Sequence, residues 1–185
     1  MASSAPPAGL LAVDRVRTLF LLRHAKSSWA EALPDHDRPL SPRGSRAAVS
    51  MAEHLASEGI RPALVLCSPA RRTRQTLDAL RPVLGDQSTV RVEPALYGAD
   101  AEEILDLLRP LGTATDSVMV IGHNPGLQDL ALLLAGDGVG AALAQLHAKF
   151  PTAALATLEL GEVPWAGLAP GAAYLRSVVL PRTLD

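Results

Sequence analysis

The sequence predicts a three-layer α/β domain with a mostly parallel sheet. Apolar runs of strand length, such as "TLFLL", "ALVLC" and "SVMVI", recur along the chain and alternate with segments of helical length. A Ser-Pro or Asn-Pro pair stands before three of those segments, where a helix cap and the first helical residue are expected. Strands that alternate with helices form parallel βαβ units, with helices on both faces of the sheet.

The first half of the chain contains three predicted strands and two predicted helices. A strand over residues 16–22 is followed by a helix that begins at Ser41-Pro42, runs to about Ser57 and is closed by Gly59. The strand "ALVLC" precedes the helix "SPARRTRQTLDALRPVL", for which we predict Ser68 as cap and Pro69 at the first position. The third strand is "TVRVE".

The second half continues the alternation and then weakens. Acidic residues in the first turn favour a helix over residues 100–108, and "SVMVI" is the fourth strand. The segment "GHNPGLQDLALLLAG" predicts a helix capped by Asn124, with Pro125 first and Gly136 at its end, and "LLLAGDG" is read as that helix end and a turn. A short helix in "ALAQLHAK" and strands in "AALATLEL" and "AAYLRSVVL" follow, and the position of these strands in the sheet is left open.

Composition limits the class of protein. The length of 185 residues fits one domain, which we place at 15–185 after a loose N-terminal tail at 1–14. With 17 basic against 19 acidic residues, the net charge of -2 gives no reason to expect nucleic acid or an anionic membrane as a partner. The single cysteine forms no internal disulfide, no apolar run reaches membrane-spanning length, and the start lacks secretory-signal features. We therefore expect a cytoplasmic location.

Basic and imidazole side chains follow three of the predicted strands. Arg23 and His24 end the first strand, Arg72 lies just beyond the second, and His123 follows the fourth. Ligands of open α/β sheets bind outside the carboxyl ends of the strands, so these residues are expected to meet at one edge. Arginine binds phosphate oxygens with a planar fork, and helix N-termini add unpaired N–H groups. The pattern predicts a phosphate site, at which an imidazole nitrogen can attack phosphorus, and no metal or other cofactor is expected.

Four sequence blocks resemble the histidine phosphatase superfamily, which has the phosphoglycerate mutase-like fold. They are "LFLLRHAKSSW", "DRPLSPRGSRAA", "LCSPARRTRQT" and "IGHNPGL", in that order. Within the superfamily, "RHAKSSW", "GHNPGL" and the short length are most similar to the SixA-type phosphohistidine phosphatases. The resemblance implies that His24 is the nucleophile, that Arg23 and Arg72 hold the phosphoryl oxygens, and that His123 completes the pocket.

Two departures from the family pattern bear on the chemistry. Ala25 stands where most members have glycine, a feature that the SixA-like branch shares. The general acid of many members has no clear counterpart, and Glu93 and Glu102 are the candidates. A leaving imidazole nitrogen can take its proton from solvent, whereas an alkoxide depends more on a positioned acid. Arg71 and Arg74 do not match the family's second arginine and are assigned to the helix surface or the substrate rim.

These observations predict a metal-independent phosphatase that acts through a phosphohistidine intermediate. The resemblance favours phosphohistidine on a signalling protein, such as a phosphotransfer domain, as the substrate. The alternatives are a small-molecule or nucleotide phosphomonoesterase on the same fold and a non-catalytic phosphate-binding module. A cysteine phosphatase is disfavoured because Thr73 occupies the arginine position of a Cys-x5-Arg loop that begins at Cys67. For the loop that contains Asp35, His36, Asp37 and Arg38, a structural or rim role is favoured over a metal site.

Overall fold

The structure, a computed structural model, describes residues 16–184 and confirms the predicted α/β class. The predicted tail at 1–14 and the first and last residues of the predicted domain lie outside this range. Seven strands of the described residues form one sheet: β1 Arg17–Arg23, β2 Leu64–Cys67, β3 Thr89–Val92, β4 Ser117–Gly122, β5 Ala135–Gly138, β6 Leu155–Gly161 and β7 Ala173–Val179. The α-helices described are α1 Pro42–Ser57, α2 Arg71–Leu84, α3 Ala101–Leu108, α4 Gly126–Leu134 and α5 Gly140–Ala148.

The strand order is β3-β2-β4-β1-β6-β7-β5. Strands β3, β2, β4 and β1 are parallel to one another, and β6 runs antiparallel to both β1 and β7. Strand β5 is parallel to β7, so β6 alone opposes the common direction in the described sheet. The predicted mostly parallel sheet is confirmed, and the two C-terminal runs extend it beyond β1.

Successive side chains of β1 enter two separate apolar layers. Leu19 and Leu21 belong to a cluster that includes side chains of α3, α4 and α5. Phe20 and Leu22 belong to a second cluster with side chains of α1 and α2. Because alternate residues of a strand point to opposite faces, helices on both faces bury the middle residues of β1. This confirms the three layers.

The predicted start of α1 is confirmed, and it also anchors the segment that follows β1. The Ser41 hydroxyl accepts a hydrogen bond from the Gly44 N–H at 3.1 Å and donates to the Lys26 carbonyl at 3.0 Å. The Ser41 N–H donates to the same carbonyl at 2.8 Å. A side chain at position 44 would collide with that carbonyl, so glycine permits the close approach.

The predicted caps of α2 and α4 are wrong. Helix α2 begins at Arg71 after Ala70, and α4 begins at Gly126 after Pro125. The Ser68 N–H donates to the carbonyl of Ile121 at 3.0 Å and so continues the sheet instead of starting a helix. The Asn124 amide donates to Gln128 and to the Phe150 carbonyl rather than capping.

The turn predicted after α4 is also wrong, because residues 135–138 form strand β5. This strand pairs with β7 at the sheet edge. A Cβ at Gly136 or Gly138 would collide with the backbone of Gly171 or Leu175, so the glycines that suggested a turn instead allow close approach. In the part of the chain that the structure describes, no helix is long and apolar enough to cross a membrane.

Candidate active site

The register of the sheet brings together three segments that follow strands. Arg23 of β1 pairs with Gly122 of β4, and the His24 N–H donates to the Gly122 carbonyl at 3.0 Å. On the other side of β4, Cys67 pairs with Ile121. Since β4 lies between β1 and β2, His123 emerges between His24 and the residue after Cys67. The edge predicted from the sequence is therefore present.

His24 is 8% exposed, and one of its ring nitrogens is held by the backbone. Nδ1 lies 2.7 Å from the carbonyl of Ala25. A carbonyl only accepts, so Nδ1 carries the proton and Nε2 keeps the free lone pair. Burial, opposed by that hydrogen bond and reinforced by the charge of Arg72, lowers the pKa of His24 to about 4. The imidazole is neutral and nucleophilic at Nε2 near neutral pH.

His123 has the opposite tautomer. Its Nδ1 lies 3.4 Å from Nη2 of Arg72, which can only donate, so Nδ1 accepts. Nε2 then carries the proton and donates to the Ser68 hydroxyl at 2.8 Å. Burial, followed by repulsion from His24 once that ring is protonated and from Arg72, lowers the pKa of His123 to about 3. The two imidazole rings lie 5.1 Å apart between centroids, and both are neutral.

Arg23 is held from one end and has a free donor at the other. Its Nη1 donates to the Phe150 carbonyl at 2.8 Å, whereas its buried Nε has no partner among the described residues. An unpaired buried donor is unfavourable, and Arg23 also lines the cavity that contains His24. Burial lowers the pKa of Arg23, yet a guanidinium stays charged.

Arg72, at the second position of α2, is fixed by Asp35. Its Nη1 donates to the Asp35 carbonyl at 2.6 Å, and its Nη2 donates to a carboxylate oxygen of the same residue at 2.9 Å. That oxygen also accepts from the Tyr97 hydroxyl at 2.9 Å, and the other oxygen accepts from Arg38. Burial raises the pKa of Asp35, but the hydrogen bonds from Tyr97 and Arg72 outweigh it and lower the value to about 2. Asp35 is thus a fixed anion that holds Arg72 beside His123.

Thr76 connects the nucleophile segment to α2. Its hydroxyl accepts from the Ala25 N–H at 3.0 Å and donates to the Arg72 carbonyl at 2.7 Å. Ala25 is fully buried in a small cluster with Ala48 and Ala153, where its methyl group packs. Thr76 thereby ties the backbone next to His24 to α2.

The two carboxylates considered as general acids, Glu93 and Glu102, form ion pairs outside the site that contains Arg23, His24, Arg72 and His123. Glu93 interacts with Arg91 at 3.3 Å, and Glu102 with Arg109 at 3.5 Å. Neither is hydrogen-bonded to a residue of the site. The carboxylate that does reach the site is Asp35, and its lowered pKa keeps it ionised. Arg71 and Arg74 are exposed and line a separate depression, as expected of surface or rim charges.

Cys67 is not a nucleophile. It is fully buried, and burial raises the pKa of its thiol to about 12. The thiolate required for attack on phosphorus is therefore absent near neutral pH. Within residues 16–184, no group of three or more His, Cys, Asp or Glu side chains is arranged to hold a metal ion.

The sequence pattern does not identify three residues that contact the site. Ser68 has the pattern of a helix cap, although its position directly after a strand next to β4 is a signal for a contact with His123. For Asp35, the sequence predicts only a structural or rim role. Tyr97 stacks edge-on against His123, with 5.6 Å between ring centroids, and nothing in the sequence pointed to it.

Comparison with known proteins identifies the family to which the chain belongs. The model of the histidine phosphatase superfamily (branch 1) matches residues 19–107. An uncharacterised protein of Mycobacterium tuberculosis is 37% identical over 163 residues, which cover 87% of this chain and 100% of that protein. The chain belongs to the histidine phosphatase superfamily.

Solved structures that are similar to this chain point to the same family, and two of them are SixA proteins. A candidate phosphohistidine phosphatase SixA from Nakamurella multipartitia superposes with a TM-score of 0.73 at 34% identity, covering 95% of this chain and 99% of that one. A protein histidine phosphatase SixA complexed with tungstate also gives a TM-score of 0.73, at 27% identity and 91% and 99% coverage. The phosphoglycerate mutase-like fold and the similarity to SixA proteins are confirmed.

Proposed function

We propose that this protein is a phosphohydrolase in which Nε2 of His24 attacks phosphorus and forms a phosphohistidine intermediate. The observation that carries the proposal is the fixed tautomer of His24, because the Ala25 carbonyl holds the Nδ1 proton and leaves the Nε2 lone pair free. The lowered pKa keeps that nitrogen unprotonated near neutral pH. Nucleophilic catalysis divides one displacement into two easier ones.

In the proposed mechanism, Arg23 and Arg72 bind the phosphoryl oxygens. Arg23 lines the cavity beside His24, and Arg72 stands beside His123 in an orientation fixed by Asp35. Fixed donors stabilise the charge that spreads over the equatorial oxygens of a transferring phosphoryl group. His123 completes the pocket as a neutral ring. The tungstate named with the SixA structure is a tetrahedral oxyanion, which is the shape that such a pocket accepts.

We propose phosphohistidine on a signalling protein as the substrate class. His24 displaces the substrate imidazole as the P–N bond breaks, and the leaving nitrogen takes its proton from water. Water then attacks the phosphorylated His24, which releases inorganic phosphate and restores the imidazole. A carboxylate with a pKa of about 2 cannot donate a proton near neutral pH, so Asp35 is not the acid that an alkyl ester needs. This favours a P–N bond over an unactivated ester.

The nucleophile is tested by comparing hydrolysis of an aryl phosphate by the wild type and by His24→Ala. We expect the variant to lose turnover, and equal rates would refute the assignment.

The substrate class is tested by comparing kcat/KM for a phosphohistidine protein with values for a panel of alkyl phosphate esters and nucleotides. Preference for unactivated alkyl esters would favour the phosphomonoesterase alternative.

A further inference from the structure

A strongly basic cavity adjoins the catalytic cluster. Its volume is about 610 Å³, and its walls include His24 and both arginines of the proposed phosphoryl site. Of the described residues that line it, seven are Arg or Lys and none is Asp or Glu, although the whole chain has a net charge of -2. Composition therefore does not account for this local excess of positive charge.

Only three of these cations are occupied by the catalytic cluster. Arg38 and Arg72 bind Asp35, and Arg23 binds a backbone carbonyl. The other four form what we call the basic collar, and all are exposed: Lys26, Arg43, Lys149 and Arg182. No ion pair joins a collar residue to any carboxylate of residues 16–184.

The collar is assembled from four separate segments. Lys26 follows β1, Arg43 lies in the first turn of α1, Lys149 follows α5, and Arg182 lies in the short 3-10 helix after β7. Like charges that converge repel one another, and no carboxylate of residues 16–184 pairs with these four. The helix dipole also disfavours a cation at the N-terminus of α1, where Arg43 stands. Such an arrangement does not stabilise the fold and is suited to binding an anionic ligand.

The cavity continues as a groove along α1. A second depression of about 620 Å³ shares Arg43 and Arg182 with the first and extends past Arg46 and Ser50 as far as Glu53. An elongated, open groove fits a polypeptide segment better than a compact metabolite. The positive charge determines the chemistry of that segment.

We propose that the basic collar binds acidic side chains that flank the phosphorylated histidine of a protein substrate. This inference rests on the proposed function and specifies which phosphoproteins the site would select. The reacting phosphoryl group lies at His24, while glutamate or aspartate residues on either side of it contact the collar. Exposed charge pairs contribute little singly, so selectivity comes from several contacts acting together.

The test uses two phosphohistidine peptides that differ only in having glutamate or glutamine beside the histidine. We expect the wild type to prefer the glutamate peptide about tenfold in kcat/KM, which corresponds to about 1.4 kcal/mol. The preference should shrink as salt screens exposed charges. The double variant Arg43→Glu/Arg182→Glu should abolish it, while hydrolysis of phosphoramidate, which has no flanking residues, stays unchanged.

The matched control is Arg61→Glu/Arg81→Glu, which makes the same change in charge. Arg61 precedes β2 and Arg81 lies near the end of α2, so both lie at the amino ends of the parallel strands, away from His24. This variant should retain most of the preference. Equal kcat/KM for the two peptides with the wild type, or a preference that survives in the collar variant, would overturn the inference. A higher kcat/KM for small aryl compounds that carry two phosphates than for the glutamate peptide would also overturn the inference.

A binding measurement separates this inference from the proposed function. Fluorescence anisotropy of the labelled, unphosphorylated peptides requires no turnover. If neither phosphopeptide is hydrolysed, the proposed function fails, but tighter binding of the glutamate peptide to the wild type than to the collar variant still supports the inference. Equal binding by the two proteins refutes it.

Discussion

Asp35 provides a sharp test of how the site is held together. The Asp35→Asn substitution keeps the shape of the side chain and removes its charge. In the wild type, one carboxylate oxygen accepts from Arg72 and Tyr97, each at 2.9 Å, and the other accepts from Arg38 at 2.9 Å. In the variant, a side-chain NH2 group replaces one of these oxygens, and it cannot accept from the arginine or tyrosine donors that face it. The variant therefore loses hydrogen bonds as well as charge.

The magnitude follows from the ionisation of Asp35. Hydrogen bonds from Tyr97 and Arg72 outweigh burial and lower its pKa from 3.8 to about 2. At about 1.36 kcal/mol per pKa unit, this difference corresponds to roughly 2.4 kcal/mol. Because 53% of the side chain is exposed, solvent screening reduces the figure to about 1 kcal/mol. The stabilisation is present above the unfolded-state pKa and is lost as pH falls from about 4 to about 2.

Urea and thermal unfolding at several pH values measure this contribution. At pH 7 the Asp35→Asn variant should be about 1 kcal/mol less stable, a decrease of about 2–4 °C in Tm for a chain of this size. The gap should close as pH falls toward about 2. The control is Asp37→Asn, an exposed neighbour whose carboxylate pairs with His36 at 3.2 Å, which should change stability by less than about 0.5 kcal/mol. Equal stability at pH 7, or a gap that persists unchanged in acid, would refute the reasoning.

Four further predictions concern the two imidazoles, Ser68 and metal independence. In an NMR titration His24 should titrate near pH 4 with its neutral-form proton on Nδ1, and a midpoint near 6.5 would contradict the burial argument. Because the pKa values of His24 and His123 are both lowered on folding, the free energy of unfolding should decrease as pH falls from about 6.5 to about 4. In a His24→Asn/His123→Asn variant, the free energy of unfolding should depend less on pH over the same range. Ser68→Ala removes the acceptor for His123 Nε2–H, so unfolding measurements should show a loss of about 1 kcal/mol, and no loss would argue against that bond. Dialysis against EDTA should leave turnover unchanged, and activity restored only by a divalent cation would contradict metal independence.

The central site residues were predictable because a parallel sheet brings the ends of its strands to one edge. Arg23, His24 and His123 stand at or just after the ends of β1 and β4, and apolar runs show where strands end. The same logic placed Arg72 nearby. Their roles came from the family resemblance, since spacing alone does not distinguish a nucleophile from a structural histidine.

The remaining features depend on contacts that no local pattern encodes. Ser68-Pro69 and Asn124-Pro125 have the composition of helix caps, but tertiary hydrogen bonds to His123 and to Phe150 outweigh that preference. Strand β5 contains two glycines and no β-branched residue, so it looks like a turn until β7 pairs with it. Asp35 and Tyr97 come from loops more than sixty residues apart and meet only in the folded chain.

Trapping the covalent intermediate tests the account most directly. Enzyme is mixed with a phosphohistidine protein, quenched in alkali within the first turnover, and digested so that mass spectrometry locates the phosphate. The account predicts phosphate on His24, and none in the His24→Ala variant. Phosphate on another residue, or turnover without phosphate on His24, would contradict it.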